Sequence, residues 1–341
     1  MAPDESLEAW LDRHTFRRRI PLRGVFELTH QCNLHCCHCY VDAIERSVST
    51  EDAKRIIDEI RGSGCLELSL SGGELFTRSD ALDLIAYARS KYLAVNILSN
   101  GTLIDYEIAK SLRDLFIQKV QVSIYDPEPH VHDGITGVDG SFDATRGALE
   151  LLAEMGVPTI ISSPVLSETS QDFEGLMVLA EAMGAGLLVD PFITPARSGS
   201  IAPKAHQVDS QKAAIAMVVA KQLSKKYRAS SNEETGCGAG RNIFYVSPGG
   251  NLSPCIDWLI ILGNLLEESF PKIWYESEEV GRMMDYLNPD NIQVCRSCQL
   301  KEFCSRCPGR AYHDDEDPLG CATHSKFKAL INSNVEGGGI K

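Results

Sequence analysis

Residues 24–40 read "GVFELTHQCNLHCCHCY", an apolar run that is followed at once by a loop dense in cysteine. The apolar run predicts a strand over residues 24–29. The loop places four cysteines and two histidines between residues 32 and 39. Metal-binding side chains packed so closely behind a strand predict a metal site at the end of that strand.

The composition of the chain bounds its size and its partners. A length of 341 residues with an apolar share of 43% predicts about two domains with a packed core. Lysine and arginine number 33 against 47 aspartates and glutamates, so the formal charge is −14. This charge argues against nucleic acid as a partner.

The cysteines are interpreted together with the expected cell compartment. The amino terminus "MAPDESLEAWLDRHTF" is polar and acidic, and no apolar run approaches the ~20 residues that span a bilayer. These features predict a cytoplasmic protein with no membrane segment. Because that compartment keeps thiols reduced, the 12 cysteines are expected to bind metal rather than to form disulfides.

The segments after the first strand alternate in character. Strands are predicted over 24–29, 65–71, 94–99, 119–124, 159–164 and 186–190, and helices over 50–61, 80–90, 106–115, 142–155, 171–183 and 209–228. Such alternation predicts an α/β fold of parallel βαβ units, and six repeats favour a partial (β/α)6 barrel over a closed barrel of eight. The chemistry is then expected at the C-terminal ends of the strands.

Four of these strand ends carry polar or metal-binding residues. The first is followed by Cys32-x3-Cys36-x2-Cys39, the second by Gly72-Gly73-Glu74 and the third by Asn100, while Ser123 ends the fourth. Three thiolates can hold three irons of a 4Fe-4S cluster and leave the fourth iron open. Zinc, or a purely structural site, remains the alternative for the loop alone.

In the order of these motifs the chain resembles the radical S-adenosylmethionine (radical SAM) family, whose cluster loop is CxxxCxxC and whose second strand ends in a GGE-like motif. The resemblance implies that Cys32, Cys36 and Cys39 carry a 4Fe-4S cluster whose open iron binds S-adenosylmethionine. It implies further S-adenosylmethionine contacts: Gly72, Gly73 and Glu74 for the amino group, Ser123 and Arg146 for the carboxylate or ribose, His38 and Tyr40 near the adenine, and Asn100 on the same rim. Cys37 and Cys65 have no place in the motif and are expected to be spare or buried thiols.

Seven more cysteines follow the predicted barrel, in the order Cys237, Cys255, Cys295, Cys298, Cys304, Cys307 and Cys321. A zinc ribbon usually separates its two CxxC pairs by ~15–20 residues, whereas five separate them here. With Gly250, the array resembles the SPASM extension of radical SAM enzymes, which carries auxiliary iron-sulfur clusters.

The SPASM resemblance implies two auxiliary clusters. One takes Cys295, Cys298, Cys304 and Cys321, and the other takes Cys237, Cys255 and Cys307. The second cluster has three cysteine ligands, so it is expected to have an open iron, a ligand such as Glu233 or Glu234, or a 2Fe-2S core. Asp257 is a candidate proton acceptor beside it, and no other catalytic residue is predicted.

The same resemblance implies the domain plan and the activity. Residues 1–21 form a lead segment, 22–205 the barrel, 206–235 a connecting helix and linker, and 236–341 the SPASM domain. The enzyme would cleave S-adenosylmethionine reductively to a 5'-deoxyadenosyl radical, with flavodoxin or ferredoxin as reductant.

A ribosomally made peptide is the expected substrate, modified by a crosslink, a thioether or a related oxidation. The 23 residues before the barrel are too few for a fused leader-binding domain, so a separate leader-binding protein is expected. The alternatives are oxidation or decarboxylation of a small molecule or tetrapyrrole, formylglycine formation on a sulfatase, and a non-catalytic iron-sulfur or zinc scaffold.

Overall fold

The computed structural model describes residues 6–227, 237–278, 280–281, 283 and 291–336. Its strands are β1 Arg23–Glu27, β2 Glu67–Ser71, β3 Ala94–Ser99, β4 Lys119–Ser123, β5 Thr159–Pro164, β6 Gly186–Asp190, β7 Ile243–Val246, β8 Asn251–Ser253 and β9 Gly263–Asn264. Its α-helices are α1 Leu7–Arg18, α2 Thr50–Gly62, α3 Ala81–Ser90, α4 Tyr106–Asp114, α5 Pro129–Thr136, α6 Ser141–Glu154, α7 Phe173–Ala182, α8 Ser210–Tyr227, α9 Phe270–Glu276, α10 Gln293–Arg296, α11 Pro308–Asp315 and α12 Thr323–Glu336.

The strands form one sheet in the order β6-β5-β4-β3-β2-β1-β7-β8-β9. All neighbours from β6 to β1 are parallel and follow chain order, with a helix between successive strands. The predicted partial (β/α)6 barrel is therefore confirmed, and each of its six strands lies within two residues of the predicted bounds. The C-terminal ends of β1 to β4 consequently share one rim.

Local sequence explains why these elements form where they do. Helix α2 begins after Ser49, whose side chain accepts a hydrogen bond from the backbone N–H of Asp52, as an N-cap does. The helix buries Ile56, Ile57 and Ile60 against the sheet core. Burying a side chain of this size contributes about 1.5–3 kcal/mol, so the apolar face of the helix holds it on the sheet.

The C-terminal part of the chain continues the barrel sheet, because β7 pairs in parallel with β1. Gly24 on β1 makes this pairing possible: a Cβ atom at that position would lie 2.1 Å from the ring of Phe244 on β7. Strands β8 and β9 then add antiparallel neighbours. The domain boundary at residue 236 stays a prediction, and the sheet itself runs across it.

Six of the described helices have no counterpart among the sequence predictions, and two of these, α1 and α5, belong to the barrel half of the chain, while α9 to α12 follow it. Helix α1 lies within the predicted lead segment and is tied to the barrel by an ion pair between Asp12 and Arg23 of β1. Helix α5 follows β4 and packs on α6. In the described ranges, no helix combines the length and apolar character that crossing a bilayer requires.

Candidate functional site

The cysteine loop after β1 is held by backbone hydrogen bonds to the end of a neighbouring helix. The backbone N–H groups of His35 and Cys37 donate to the carbonyls of Thr136 and Ile135, at 2.8 and 3.0 Å, at the end of α5. Helix α5, which the sequence did not reveal, is therefore the support on which the cysteine loop lies.

Two of the three thiols of the CxxxCxxC motif face polar side chains on the rim. The amide of Asn100 lies 3.8 Å from the Cys32 sulfur, and the Tyr125 hydroxyl lies 3.6 Å from that of Cys36. The pKa of Cys36 is raised to about 12, mainly by burial, and the neighbouring thiolates of Cys39 and Cys32 contribute to that rise. Thiols that oppose each other's ionisation become thiolates most readily beside a cation, and a bound iron-sulfur cluster would supply that charge.

Gly72 and Gly73 pack directly against the backbone that leads into the cysteine loop. A Cβ atom at Gly72 would lie 2.5 Å from the carbonyl oxygen of Thr29, and one at Gly73 would lie 2.6 Å from that of Gln31. The backbone N–H of Gly73 donates to the Thr29 carbonyl at 2.7 Å. These glycines allow the two strand ends to approach closely, and together with the three thiols they fit a cluster site.

The sulfur atoms of Cys32, Cys36 and Cys39 do not form a group with the close spacing that a single zinc ion needs. Tetrahedral zinc with sulfur at about 2.3 Å needs ligand atoms about 3.8 Å apart. In the part of the chain that the structure describes, one group of three or more candidate ligands lies within 4.8 Å of one another, and it contains none of the predicted cluster cysteines. Thiolates on different irons of a cluster are held farther apart than on one ion.

Glu74 is a fully buried carboxylate that joins two strand ends. It accepts hydrogen bonds from the Ser99 hydroxyl at 2.9 Å and from the backbone N–H of Asn100 at 2.7 Å. Burial raises its pKa, while the hydrogen bond from the N–H of Phe76 is the largest opposing contribution. The carboxylate thus ties β2 to β3, and its predicted contact with the amino group of S-adenosylmethionine stays a prediction.

The other predicted S-adenosylmethionine residues differ in their surroundings. The His38 ring lies edge-on to Tyr125, and burial lowers its pKa to about 4. Its Nδ1 atom is buried with no hydrogen-bond partner within the described residues, so it is open to a polar group of a ligand. Ser123 is half-buried at the end of β4, whereas the Arg146 side chain is 47% exposed on α6 and lies 3.4 Å from Asp143. Their assigned roles stay predictions.

Sequence reasoning missed a buried network around Glu27, the last residue of β1. Its carboxylate accepts from Tyr40 at 2.8 Å, Tyr245 at 2.7 Å and Arg197 at 2.7 Å, and lies 3.1 Å from His30. Burial alone would raise the pKa of Glu27, but the hydrogen bond with His30 and the Arg197 charge lower it overall. A glutamate that ends an otherwise apolar strand was the available signal.

Through this network Arg197, which follows β6, reaches across to β1. Its guanidinium lies 4.9 Å from the ring centres of both Tyr40 and Tyr245. Its backbone N–H donates to the Tyr40 carbonyl at 2.9 Å. The segment after β6 is thus joined to β1 and to the end of the cysteine loop. Tyr40 uses its hydroxyl here, so its predicted place near the adenine stays a prediction.

The late cysteines gather in two sets. The first set lines one cavity together with Arg306, and its members are Cys295, Cys298, Cys304 and Cys321. Burial raises the pKa of Cys304, and the thiolates of the other three raise it further. The cavity thus brings together the four side chains that the resemblance assigned to one cluster.

The second set contains Cys237, Cys255 and Cys307, and Asp257 lies close to all three. The pKa of Cys237 is raised to about 11, mainly by burial, and the charges of Cys307 and Asp257 contribute to that rise. Burial also raises the pKa of Cys255, and the charges of Cys237, Asp257 and Cys307 raise it further. Asp257 is paired with Arg310, whose Nη2 lies 3.3 Å from its Oδ1. The predicted alternatives Glu233 and Glu234 lie outside the described residues.

Comparisons with known proteins agree with this geometry. Residues 26–180 match the Radical SAM superfamily, and residues 237–299 match SPASM, an iron-sulfur cluster-binding domain. The AdoMet-dependent heme synthase of Methanosarcina barkeri is 28% identical over 86% of this chain and 93% of its own length. The antilisterial bacteriocin subtilosin biosynthesis protein AlbA of Bacillus subtilis is 27% identical over 84% of this chain and 67% of its own.

Among solved structures, SuiB of Streptococcus suis bound to the precursor peptide SuiA is similar in fold. Its TM-score is 0.72 at 17% identity, and the match covers 94% of this chain and 82% of SuiB. The predicted radical SAM core and SPASM extension are therefore both confirmed.

Proposed function

The chain is a radical S-adenosylmethionine enzyme with a C-terminal SPASM domain, and on this premise we propose that it oxidatively modifies a ribosomally made peptide. The observation that carries the activity is the gathering of three thiols at the end of β1, against the two glycines that end β2. These side chains fit a three-ligand iron-sulfur cluster beside an S-adenosylmethionine site.

In this proposal Cys32, Cys36 and Cys39 hold the cluster. When bound, the cluster and S-adenosylmethionine together supply a 5'-deoxyadenosyl radical that removes hydrogen from the substrate. The chain's own residues would orient the cysteine loop and shield the radical. Tyr125 covers Cys36 with its hydroxyl, and the network of Glu27 and Arg197 fixes the strand from which the loop starts. Buried surroundings also protect a radical from water and competing hydrogen donors.

The late cysteines would hold two auxiliary clusters, one in the four-thiol cavity and one on Cys237, Cys255 and Cys307. We assign Asp257 to the second centre, because its charge acts on all three of those thiols. There it would serve as a fourth ligand or as the proton acceptor during substrate oxidation. A flavodoxin or ferredoxin as reductant, a separate leader-binding protein and a cytoplasmic location complete the proposal.

The charge of the site supports a peptide over a polyanionic substrate. Three cations near the C-terminal end of β6 are each paired with a carboxylate: Arg197 with Glu27, Lys204 with Asp314, and Arg310 with Asp257. The chain as a whole carries −14. A substrate with several carboxylates would have to compete with these pairs, whereas a peptide would not. The similarity to the bacteriocin biosynthesis protein AlbA agrees with a peptide.

A tetrapyrrole is the second candidate, and one observation favours it. The heme synthase of M. barkeri matches this chain over 93% of its own length, so the two proteins correspond almost from end to end. In that case the oxidation would remove a carboxyl group as carbon dioxide rather than join two parts of a peptide.

A two-step experiment tests the proposal. The anaerobically reconstituted protein is first reduced with dithionite and assayed for 5'-deoxyadenosine from S-adenosylmethionine. It is then offered, in parallel, the short peptides encoded beside its gene and a propionate-bearing iron porphyrin. A peptide that loses two hydrogen atoms supports the proposal, and release of carbon dioxide from the porphyrin selects the alternative. Absence of 5'-deoxyadenosine would contradict both.

A further inference from the structure

Three side chains beside the cysteine loop form a cluster of their own. Cys37, Glu168 and His206 each place one potential ligand atom within 4.8 Å of the other two. None of the three belongs to the predicted iron-sulfur ligands. Cys37 in particular was expected to be a spare thiol, yet it lies in the one group within the described ranges whose spacing suits a single metal ion.

Backbone pairing brings Glu168 and His206 together. Leu166 and Gln207 form an antiparallel bridge, and the N–H of Ser167 donates to the carbonyl of His206 at 2.9 Å. The segment after β5 is therefore fixed against the segment before α8. In this arrangement the His206 Nδ1 lies 2.5 Å from the Glu168 Oε1.

Cys37 belongs to a third segment, the cysteine loop after β1. Its N–H bond to the Ile135 carbonyl holds it on the end of α5. The Ser167 hydroxyl donates to the other oxygen of Glu168 at 2.9 Å, which orients that carboxylate from outside. Hydrogen bonds that orient a ligating carboxylate in this way are typical of metal sites.

The donor set identifies the class of ion. One thiolate, one imidazole and one carboxylate suit Zn²⁺, which takes sulfur at about 2.3 Å and nitrogen or oxygen at about 2.0–2.2 Å in a tetrahedron. We propose that Cys37, Glu168 and His206 form a mononuclear Zn²⁺ site with water in the fourth position. The His206 and Glu168 side chains are 26% and 40% exposed, so an ion can enter from solvent.

The consequence concerns the cysteine loop. A bound Zn²⁺ would join that loop to the segments after β5 and before α8, which otherwise approach it without a covalent link. The ion would therefore add a third attachment to a loop that already rests on the end of α5 and on the end of β2. This inference concerns side chains other than the three cluster cysteines, although the site adjoins His38, and it does not depend on the identity of the substrate.

Zinc titration of the reconstituted holoenzyme tests the site. After its iron content is measured, the enzyme is titrated anaerobically with Zn²⁺ against a chromophoric chelator, and iron is measured again. We expect one Zn²⁺ per chain with no loss of iron. Cys37→Ala and His206→Ala should bind at least about tenfold more weakly, since even residues that only support metal ligands contribute 10–100-fold to affinity. Zinc-edge X-ray absorption should show a single sulfur neighbour.

Cys65→Ala is the matched control, because this thiol is buried in the barrel core and donates to the carbonyl of Glu67 at 3.2 Å. It should bind Zn²⁺ as the unaltered enzyme does. The proposal is overturned if the unaltered enzyme retains no Zn²⁺, if the Cys37 and His206 variants bind equally well, or if Cys37→Ala lowers the iron content. The 5'-deoxyadenosine assay is read separately, so failure of the proposed function would not be mistaken for failure of this site.

Discussion

The barrel and the C-terminal region assemble their cysteines in different ways. Cys32, Cys36 and Cys39 lie within one loop of eight residues, whereas Cys237 and Cys307 share a set although 70 positions separate them (307 − 237). A short loop holds its thiols near one another in any fold. A set drawn from distant segments pays a larger loop-closure entropy and forms only when packing offsets it.

The two C-terminal cysteine sets are also interleaved along the chain, which strengthens the contrast with the barrel loop. Cys304 and Cys307 are three positions apart, yet Cys304 lines the four-thiol cavity while Cys307 joins Cys237 and Cys255. Cys307 is also the N-cap of α11, where its side chain accepts from the N–H of Arg310. The beginning of that helix therefore separates the two sets. Sequence spacing is a sufficient guide to the barrel loop and an insufficient one to the C-terminal sets.

The largest expected effect tests whether the three cysteines of the barrel loop are the cluster ligands. Replacing Cys32, Cys36 or Cys39 with alanine should abolish 5'-deoxyadenosine formation, because two thiolates leave a second iron without its protein ligand and the cluster is no longer held in place. Cys37→Ala should retain most of this activity, as judged by liquid chromatography of the reduced enzyme. If Cys37 proves as necessary as the other three, the ligand assignment is wrong.

The second-largest expected effect tests how far the strand before the cysteine loop depends on Arg197, which lies far away in sequence. Arg197→Met should lower the free energy of unfolding by about 3–5 kcal/mol, because it leaves the Glu27 carboxylate buried without its cation. Chemical denaturation followed by circular dichroism measures the change. Arg55→Met on α2 is the control: that side chain is 41% exposed, and its ion pairs should be worth only about 0–1 kcal/mol. Equal effects of the two substitutions would refute the claim of a stabilising network.

A smaller effect concerns the contact between the loop and β2. Gly73→Ala should displace the loop backbone, since the new Cβ would lie 2.6 Å from the Gln31 carbonyl oxygen, and such overpacking costs about 1–3 kcal/mol. Iron content and 5'-deoxyadenosine yield should both fall. Gly147→Ala on α6 meets nothing within 4 Å and should leave both unchanged while raising stability slightly. Full activity of Gly73→Ala would show that the loop tolerates a shift of its support.

The smallest effect lies in the C-terminal region. Asp257→Asn removes a negative charge beside three thiolates and should raise the reduction potential of that auxiliary cluster, because less negative surroundings favour the reduced form. Spectroelectrochemical titration followed by electron paramagnetic resonance measures the potential. Asp58→Asn on α2, whose carboxylate pairs with Lys91, is the control and should change nothing. An unchanged potential in Asp257→Asn would place this carboxylate outside the influence of the cluster.

The pattern of the sequence was enough for the barrel, for a reason that is local. Each strand is a short apolar run and each helix has its own periodicity, as in α2 with its Ser49 cap and its three buried isoleucines. Helix α1 was not predicted because polar residues dominate it, and α5 was not predicted because it has only eight residues. Residues at the ends of predicted strands could likewise be assigned to one rim, since parallel strands end on the same side.

By itself, the sequence determined the strand order, the position of the rim and the thiols that lie within a single loop, because these follow from spacing and periodicity. Only the tertiary structure decided that Arg197 reaches Glu27, that β7 continues the barrel sheet, and that Cys37 meets Glu168 and His206. These contacts join segments far apart in the chain. They depend on how buried charges and backbone groups find partners after the elements pack, which no local pattern specifies.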